Sequence, residues 1–256
     1  MSGFSLMWHQ FRYDQRVFWR SPASVFFTVL LPLIFLFIFC SIFGGDTIEE
    51  RGNVSIATYY VPGIMTLAIV SATLVSLAIA LVEARESGRL KRVRSTPLPT
   101  WGIVAGRIGN ALVISVLMTI IVTLIGRVIY DVEIPDSTIP ALLVTLVVGA
   151  FAFSCLGFAL TALIPNEDAA PAITNVAVLP LYFLSGVFIP DSEIPDGVLD
   201  FASFFPIRNF FEALFTAFDP ATQGAGFEWG HLGIVALWGM GGLVLAARFF
   251  RWAPRG

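Results

Sequence analysis

Two cysteines, two histidines and a single lysine are the scarce reactive side chains of this 256-residue chain, and their placing excludes several chemistries. Cys40 and Cys155 sit inside apolar runs, with no spacing that suggests a disulfide framework or a metal site, so both read as buried free thiols. His9 and His231 lie at the edges of apolar runs, and no His-Glu-x-x-His pair is present to hold a catalytic zinc. Lys91 follows no glycine-rich loop. A phosphate loop of the Gly-x-x-x-x-Gly-Lys-Ser/Thr type is missing, and with it an ATPase of that kind on this chain.

Composition says what kind of scaffold must position the remaining polar groups. Apolar residues make up 57% of the chain and charged residues 13%, against about 45–50% and about 25% in a soluble domain. A core of this size cannot hide 24 Phe and 6 Trp from water, because burial is limited by the surface-to-volume ratio. The net charge of −3 offers no basic face for a phosphate backbone. A soluble enzyme, a disordered chain and a nucleic-acid binder are excluded. The expected fold is all-α: a polytopic membrane protein forming one transmembrane domain over residues 1–256.

A hydrocarbon core of about 30 Å needs roughly 20 apolar residues in a helix. Six runs qualify, at 22–43, 57–82, 103–130, 140–164, 171–190 and 229–247. The first alone favours insertion by roughly 4–8 kcal/mol on a per-residue insertion scale. Its apolar stretch is too long for a signal peptide, and no small-residue cleavage site follows it. With the N-terminus inside, twelve of the 15 basic residues lie on the cytoplasmic side, leaving Arg51, Arg127 and Arg208 outside with 13 of the 18 acids. This positive-inside bias puts both termini in the cytoplasm and requires an even number of spans.

The segments between the spans carry the polar residues. Residues 1–21 read as an interfacial amphipathic helix, with aromatic Phe4, Trp8, Phe11 and Phe18 opposite His9, Arg12, Arg16 and Arg20, suited to an anionic leaflet. It is either an anchor or a lever that feels a cytoplasmic partner. The inner loop 83–102 is long and strongly charged. Glu86, Ser87 and Gly88 begin a short helix there, Leu90 and Val93 lie three apart on it, and Thr96-Pro97 ends it. Two apolar knobs amid basic residues fit a groove on another protein, or the loop is a plain positive anchor. Segment 191–228 reads as an outer re-entrant segment. Within it Phe211, Leu214, Phe215 and Phe218 recur at helical spacing, and Arg208 and Glu212 are i,i+4 partners.

Two stretches resemble a known family. The loop RESGRLKRVRSTPLPTWGIVAGR resembles the cytoplasmic coupling segment of type-two ABC-exporter permeases, whose pattern is an acid, a glycine, a leucine and then Thr-Pro-Leu. Here these are Glu83 or Glu86, then Gly88, Leu90, and Thr96-Pro97-Leu98. The second stretch, LSGVFIPDSEIPDGVLDFASFFPIRNFFEAL, is similar to the family's fifth-span exit and aromatic outer helix. The resemblance covers the whole chain and is nearest the drug- and antibiotic-exporting branch.

The resemblance implies a transport subunit rather than an enzyme. A second permease, the same chain or a sister, would pair with it in a bacterial plasma membrane. Two cytoplasmic ABC ATPases would bind ATP and magnesium, this chain binding no cofactor. Glu83, Glu86, Gly88, Leu90, Val93, Thr96, Pro97 and Leu98 would form the ATPase-coupling segment, beside the arginines of the interfacial helix. ATP binding would shift the spans from inward- to outward-open. By the same analogy Thr66, Val70 and Thr73 on span two, and Asn175, Val178, Tyr182 and Phe183 on span five, line the substrate pathway. Phe188, Phe205, Phe211 and Phe215 would form the outer gate. An uncharged pathway of aromatics, Thr and Asn suits an amphipathic drug, antibiotic, lipid or glycolipid.

A lipid-modifying membrane enzyme is the alternative, but the inner acids Asp14, Glu83, Glu86, Glu167 and Asp168 are scattered. A proton-coupled carrier would need carboxylates or histidines within the spans, where few ionisable groups are found. The orientation is directly testable. In a chain with Cys40 and Cys155 replaced by Ala, a membrane-impermeant thiol reagent should label Ser192→Cys from outside and Ser87→Cys only from inside. The reverse pattern would invert the topology.

Overall fold

The computed structural model describes residues 3–43, 47–48, 54–94, 100–133 and 136–250. Ten helices follow in chain order among the described residues: α1 (Gly3–Arg20), α2 (22–43), α3 (Ile56–Glu86), α4 (Arg89–Arg94), α5 (Thr100–Tyr130), α6 (Ile139–Leu160), α7 (Ala170–Leu184), α8 (Asp196–Ser203), α9 (Pro206–Phe218) and α10 (Trp229–Phe249). A small antiparallel hairpin, pairing Thr47 with Ser55 and Ile48 with Val54, joins α2 to α3. Helices α2, α3, α5, α6 and α10 each hold a stretch long and apolar enough to cross a bilayer. The chain is an all-α polytopic membrane protein.

The apolar run at 171–190 is helical only to Leu184. Its 15 helical residues reach about 22 Å at ~1.5 Å per residue. The cause is local: Gly186 adopts φ +80°, a left-handed conformation that ends a helix. A Cβ there would also lie 2.9 Å from Asp191 Oδ1 and 3.1 Å from the Tyr59 hydroxyl. The outer segment then folds as a 3₁₀ turn at Asp191–Glu193 followed by α8 and α9.

Helix α3 is the centre of the bundle. Every residue from Ile56 to Val70 is buried, enclosed by α2, α5 and α9, with α6 against its inner half. The outward faces of the peripheral helices are greasy: Phe27, Leu30 and Ile38 on α2, and Leu237, Leu243 and Val244 on α10, are exposed. This is what a lipid solvent permits.

Two helices contain a π-helical turn, Phe26–Leu30 in α2 and Ser71–Val75 in α3. The two are bridged where Thr28 Oγ1 lies 2.8 Å from Ser76 Oγ. Helices α6 and α10 pack most extensively of all, because glycines let their backbones meet. A Cβ on Gly239 would come 2.7 Å from Ala152 Cα, and one on Gly242 2.9 Å from the Leu156 amide nitrogen, while Gly241 faces open space.

Gly242→Val should therefore lower the thermal unfolding midpoint in detergent, by overpacking that costs about 1–3 kcal/mol. Gly241→Val should leave the midpoint unchanged. Equal midpoints for the two variants would contradict backbone contact between α6 and α10.

Candidate functional site

The C-terminal end of α3 is built from a simple periodicity. Leu77, Leu81 and Arg85 recur every four residues and all are buried, so they form one inward stripe. Glu83 is exposed. Glu86 closes the helix rather than beginning the next one, which corrects the expectation that Glu86-Ser87-Gly88 starts the short helix. The chain turns at Ser87–Gly88, with the Ser87 amide donating to Glu83 O at 3.0 Å and the Gly88 amide to Arg85 O at 3.0 Å. Gly88 sits at φ +68°, which explains a glycine there. Helix α4 starts at once, its Arg92 amide donating to Gly88 O at 3.2 Å.

Leu90 is 2% exposed. It is covered within this chain rather than exposed as a knob. Arg92 is exposed on α4. The side chain of Val93, and residues Thr96, Pro97 and Leu98, lie outside what the structure describes.

The residue that sequence reasoning missed is Arg85. Counted among the inner positive charges, it is 2% exposed. Nη1 donates to Thr161 O at 3.1 Å, and Nη2 donates to Ile164 O at 2.7 Å and Pro165 O at 3.2 Å. Nε donates to Glu86 Oε1 at 2.7 Å. The stripe with Leu77 and Leu81 was the available signal.

Helix α1 lies against α5. Arg12, Arg16 and Arg20 are exposed at four-residue spacing, and Asp14 and Phe18 on another face are buried. Trp8, placed with the aromatic face, is 56% exposed and stacks on Phe11. Asp14, Ser21, Ser24, Ser76, Glu83, Arg107 and Asn110 are the polar residues of a small, mostly apolar-walled cavity between α1, α3 and α5.

The expected pathway residues divide. Thr66, Val70 and Thr73 are wholly buried inside this chain, and both threonine hydroxyls donate to their own helix, to Pro62 O at 2.9 Å and Ile69 O at 2.7 Å. In this structure they pack the core of the bundle instead of lining a free surface, since α3 has neighbours on every side. On α7, Val178 and Tyr182 are buried, and Tyr182 fastens the helix by donating to Leu67 O at 3.2 Å. Asn175 and Phe183 are exposed on the outward face of α7.

The four expected gate residues also divide. Phe188 is packed among Phe35, Phe39, Tyr182 and Phe183. Phe211 and Phe215 are buried against Tyr59. Phe205 stacks on Trp238. Tyr59 OH donates to Gly186 O at 2.6 Å and Tyr60 OH to Phe188 O at 3.2 Å, serving carbonyls released where α7 stops. Arg208 grips both oxygens of Asp191, at 2.9 and 3.1 Å, and Glu212 at 3.3 Å.

An apolar groove of about 560 Å³ lies between α6, α7 and α10, lined by Leu156, Leu160, Val178, Leu181, Phe205 and Trp238 among others. Trp238 Nε1 is already donated to Phe204 O at 2.8 Å. Among the described residues, no group of three His, Cys, Asp or Glu could hold a metal.

The described residues thus form a helical membrane bundle with a basic elbow at one end and an apolar groove between α6, α7 and α10. The sequence profile of the ABC-2 type transporter matches residues 4–218, and the chain belongs to that family. It is 22% identical over 191 residues to the transport permease YvfS of Bacillus subtilis (strain 168), covering 75% of this chain and 76% of that one. It is 25% identical over 171 residues to the inner membrane transport permease YadH of Escherichia coli (strain K12), 66% of each chain. It is 28% identical over 180 residues to the daunorubicin resistance ABC transporter permease protein DrrB1 of Streptomyces coeruleorubidus, 68% of this chain and 61% of that one. Membership makes the chain a permease that works with an ABC ATPase subunit.

Because Leu90 is buried, Leu90→Asp should loosen α4, at the roughly 2–5 kcal/mol cost typical of lost core contacts. Limited trypsin digestion of inverted vesicles should then cut after Arg89 and Arg92 at least tenfold faster, with the spans still inserted. Unchanged cleavage would place Leu90 at a free surface instead.

Proposed function

We propose that the chain is the permease of an ABC exporter that moves an amphipathic or lipid-like substrate out of the cell by alternating access. The carrying observation is the pairing of a positively charged inner elbow with an apolar groove between α6, α7 and α10. The groove lining has no ionised side chain, so it suits the greasy part of a drug, antibiotic, lipid or glycolipid. Polar parts of the substrate would meet Asn175 on the outward face of α7.

In this reading both termini lie in the cytoplasm of a bacterial cell, and α7 with the stretch 185–190 makes the sixth passage of the plasma membrane. The second permease is another copy or a sister chain. Two ATPase subunits hold ATP and magnesium, and each docks on one elbow through α4 and the segment after it. Closure of the ATPases pushes the elbows and favours the outward-open state, and hydrolysis resets it.

The experiment is co-purification from native membranes, followed by reconstitution with daunorubicin as first probe, chosen from the name of the DrrB1 relative. The tagged chain should bring down an ABC ATPase in equal amount, and accumulation of the probe in inverted liposomes should need ATP. Ala177→Trp, which fills the groove, should cut probe-stimulated hydrolysis several-fold and leave basal hydrolysis alone. Transport by the chain without a nucleotide-hydrolysing companion would sink the reading.

A further inference from the structure

A charged guanidinium that is 2% exposed must be compensated where it sits. Arg85 is compensated in an unusual direction. Its two terminal nitrogens spend their hydrogen bonds on backbone oxygens of Thr161, Ile164 and Pro165, some 76 to 80 residues away in sequence. These oxygens belong to the turn that leaves α6 and leads into α7. They lie past Leu160, the last residue of α6, in irregular backbone whose carbonyls are outside the helical ladder, and a guanidinium supplies several charge-assisted donors to them at once.

Glu86 holds the remaining Nε, which fixes the plane of the fork. The same two residues close α3 and are followed directly by the Ser87–Gly88 turn and α4. Beside the guanidinium, Ala78, Val82, Ile164 and Ala170 form a small apolar cluster. That cluster attracts the same elements but is non-directional. Three oriented bonds to three carbonyls set one relative position.

We propose that Arg85 is a positioning residue that welds the elbow, comprising the end of α3 and α4, to the turn 161–169, so that a push on the elbow moves the inner ends of α6 and α7. This deepens the docking reading above and rests on it for the source of the push. It also gives Glu86 a role distinct from partner contact: it orients the guanidinium.

The test has two arms. In the full chain in lipid nanodiscs, with Cys40 and Cys155 changed to Ala, spin labels are placed at Arg92→Cys and Glu167→Cys. The distance distribution should be narrow with Arg85 present, at least twofold broader in Arg85→Met, and intermediate in Arg85→Lys, which keeps the charge but not the fork. The apolar cluster keeps Arg85→Met folded, and size-exclusion and melting profiles check this. An unbroadened distribution in a folded Arg85→Met protein overturns the proposal.

The second arm uses the complex with the co-purified ATPase, labelled at Glu167→Cys and at Trp229→Cys on the outer end of α10. Trapping with ATP and vanadate should shift this distance in the parent. In Arg85→Met the shift should fall at least threefold while ATP hydrolysis stays within twofold of the parent, a split that mere loss of stability would not produce. An undiminished shift overturns the proposal. If no ATPase accompanies the chain, the docking reading falls, and the first arm still decides whether the guanidinium ties the two segments.

Discussion

Inside a bilayer there is no water to satisfy a backbone carbonyl, and every departure from regular helix must be answered by a donor from elsewhere in the protein. The architecture of this permease is organised around those answers. Just before the π turn of α3, Tyr182 adds a second donor to Leu67 O. The end of α7 is met by Tyr59 and Tyr60, which donate to Gly186 O and Phe188 O. Asn209 donates to Ser203 O and Phe205 O at the elbow between α8 and α9, and Trp238 serves Phe204 O. Beyond the end of α6, Arg85 donates to Thr161 O and Ile164 O. Each donor stands on a different element from the break it serves or joins two parts of the outer segment, so satisfying the backbone and assembling the bundle are one process.

The same constraint accounts for the division of labour among the aromatics. The outer segment is rich in Phe, but Phe211 and Phe215 spend their area on α3, and Phe188 on α2 and α7. They are the apolar cement around a small number of hydroxyl and amide donors. The side of the bundle where α7 stands off from α6 and α10 keeps an open groove, whose described lining is apolar and uncharged.

The spans are legible in the sequence because an uncharged apolar run of about 20 residues matches the thickness of a bilayer and little else. The N-terminal helix, the helix at 206–218 and the Arg208–Glu212 pair are legible from spacing alone. Other features are not, for identifiable physical reasons. The stop of α7 depends on the φ of Gly186, which hydropathy does not encode. Asp191, the stronger partner of Arg208, is 17 residues away and reaches it only through the fold. The centrality of α3 leaves no compositional mark: in a soluble protein a helix apolar all round is a buried one, but in a membrane every span looks that way. Leu90 and Arg85 escape sequence reasoning for a related reason. A charged loop reads as wholly solvated, while the buried stripe of Leu77 and Leu81 in fact runs on across the loop's boundary to Arg85.

The π turn at Ser71–Val75 has a geometric consequence for everything that follows it in α3. Bonding from each residue to the fifth beyond takes one residue more than an ordinary turn, and one residue of helix is worth about 100° of rotation about its axis. Tightening that turn to an ordinary α turn with the sequence unchanged would leave the first half of α3 in place and swing the second half round, carrying Arg85 off the carbonyls it now faces. The angular phase of the elbow is thus set some ten to fourteen residues upstream of it, by an irregularity in the middle of the membrane.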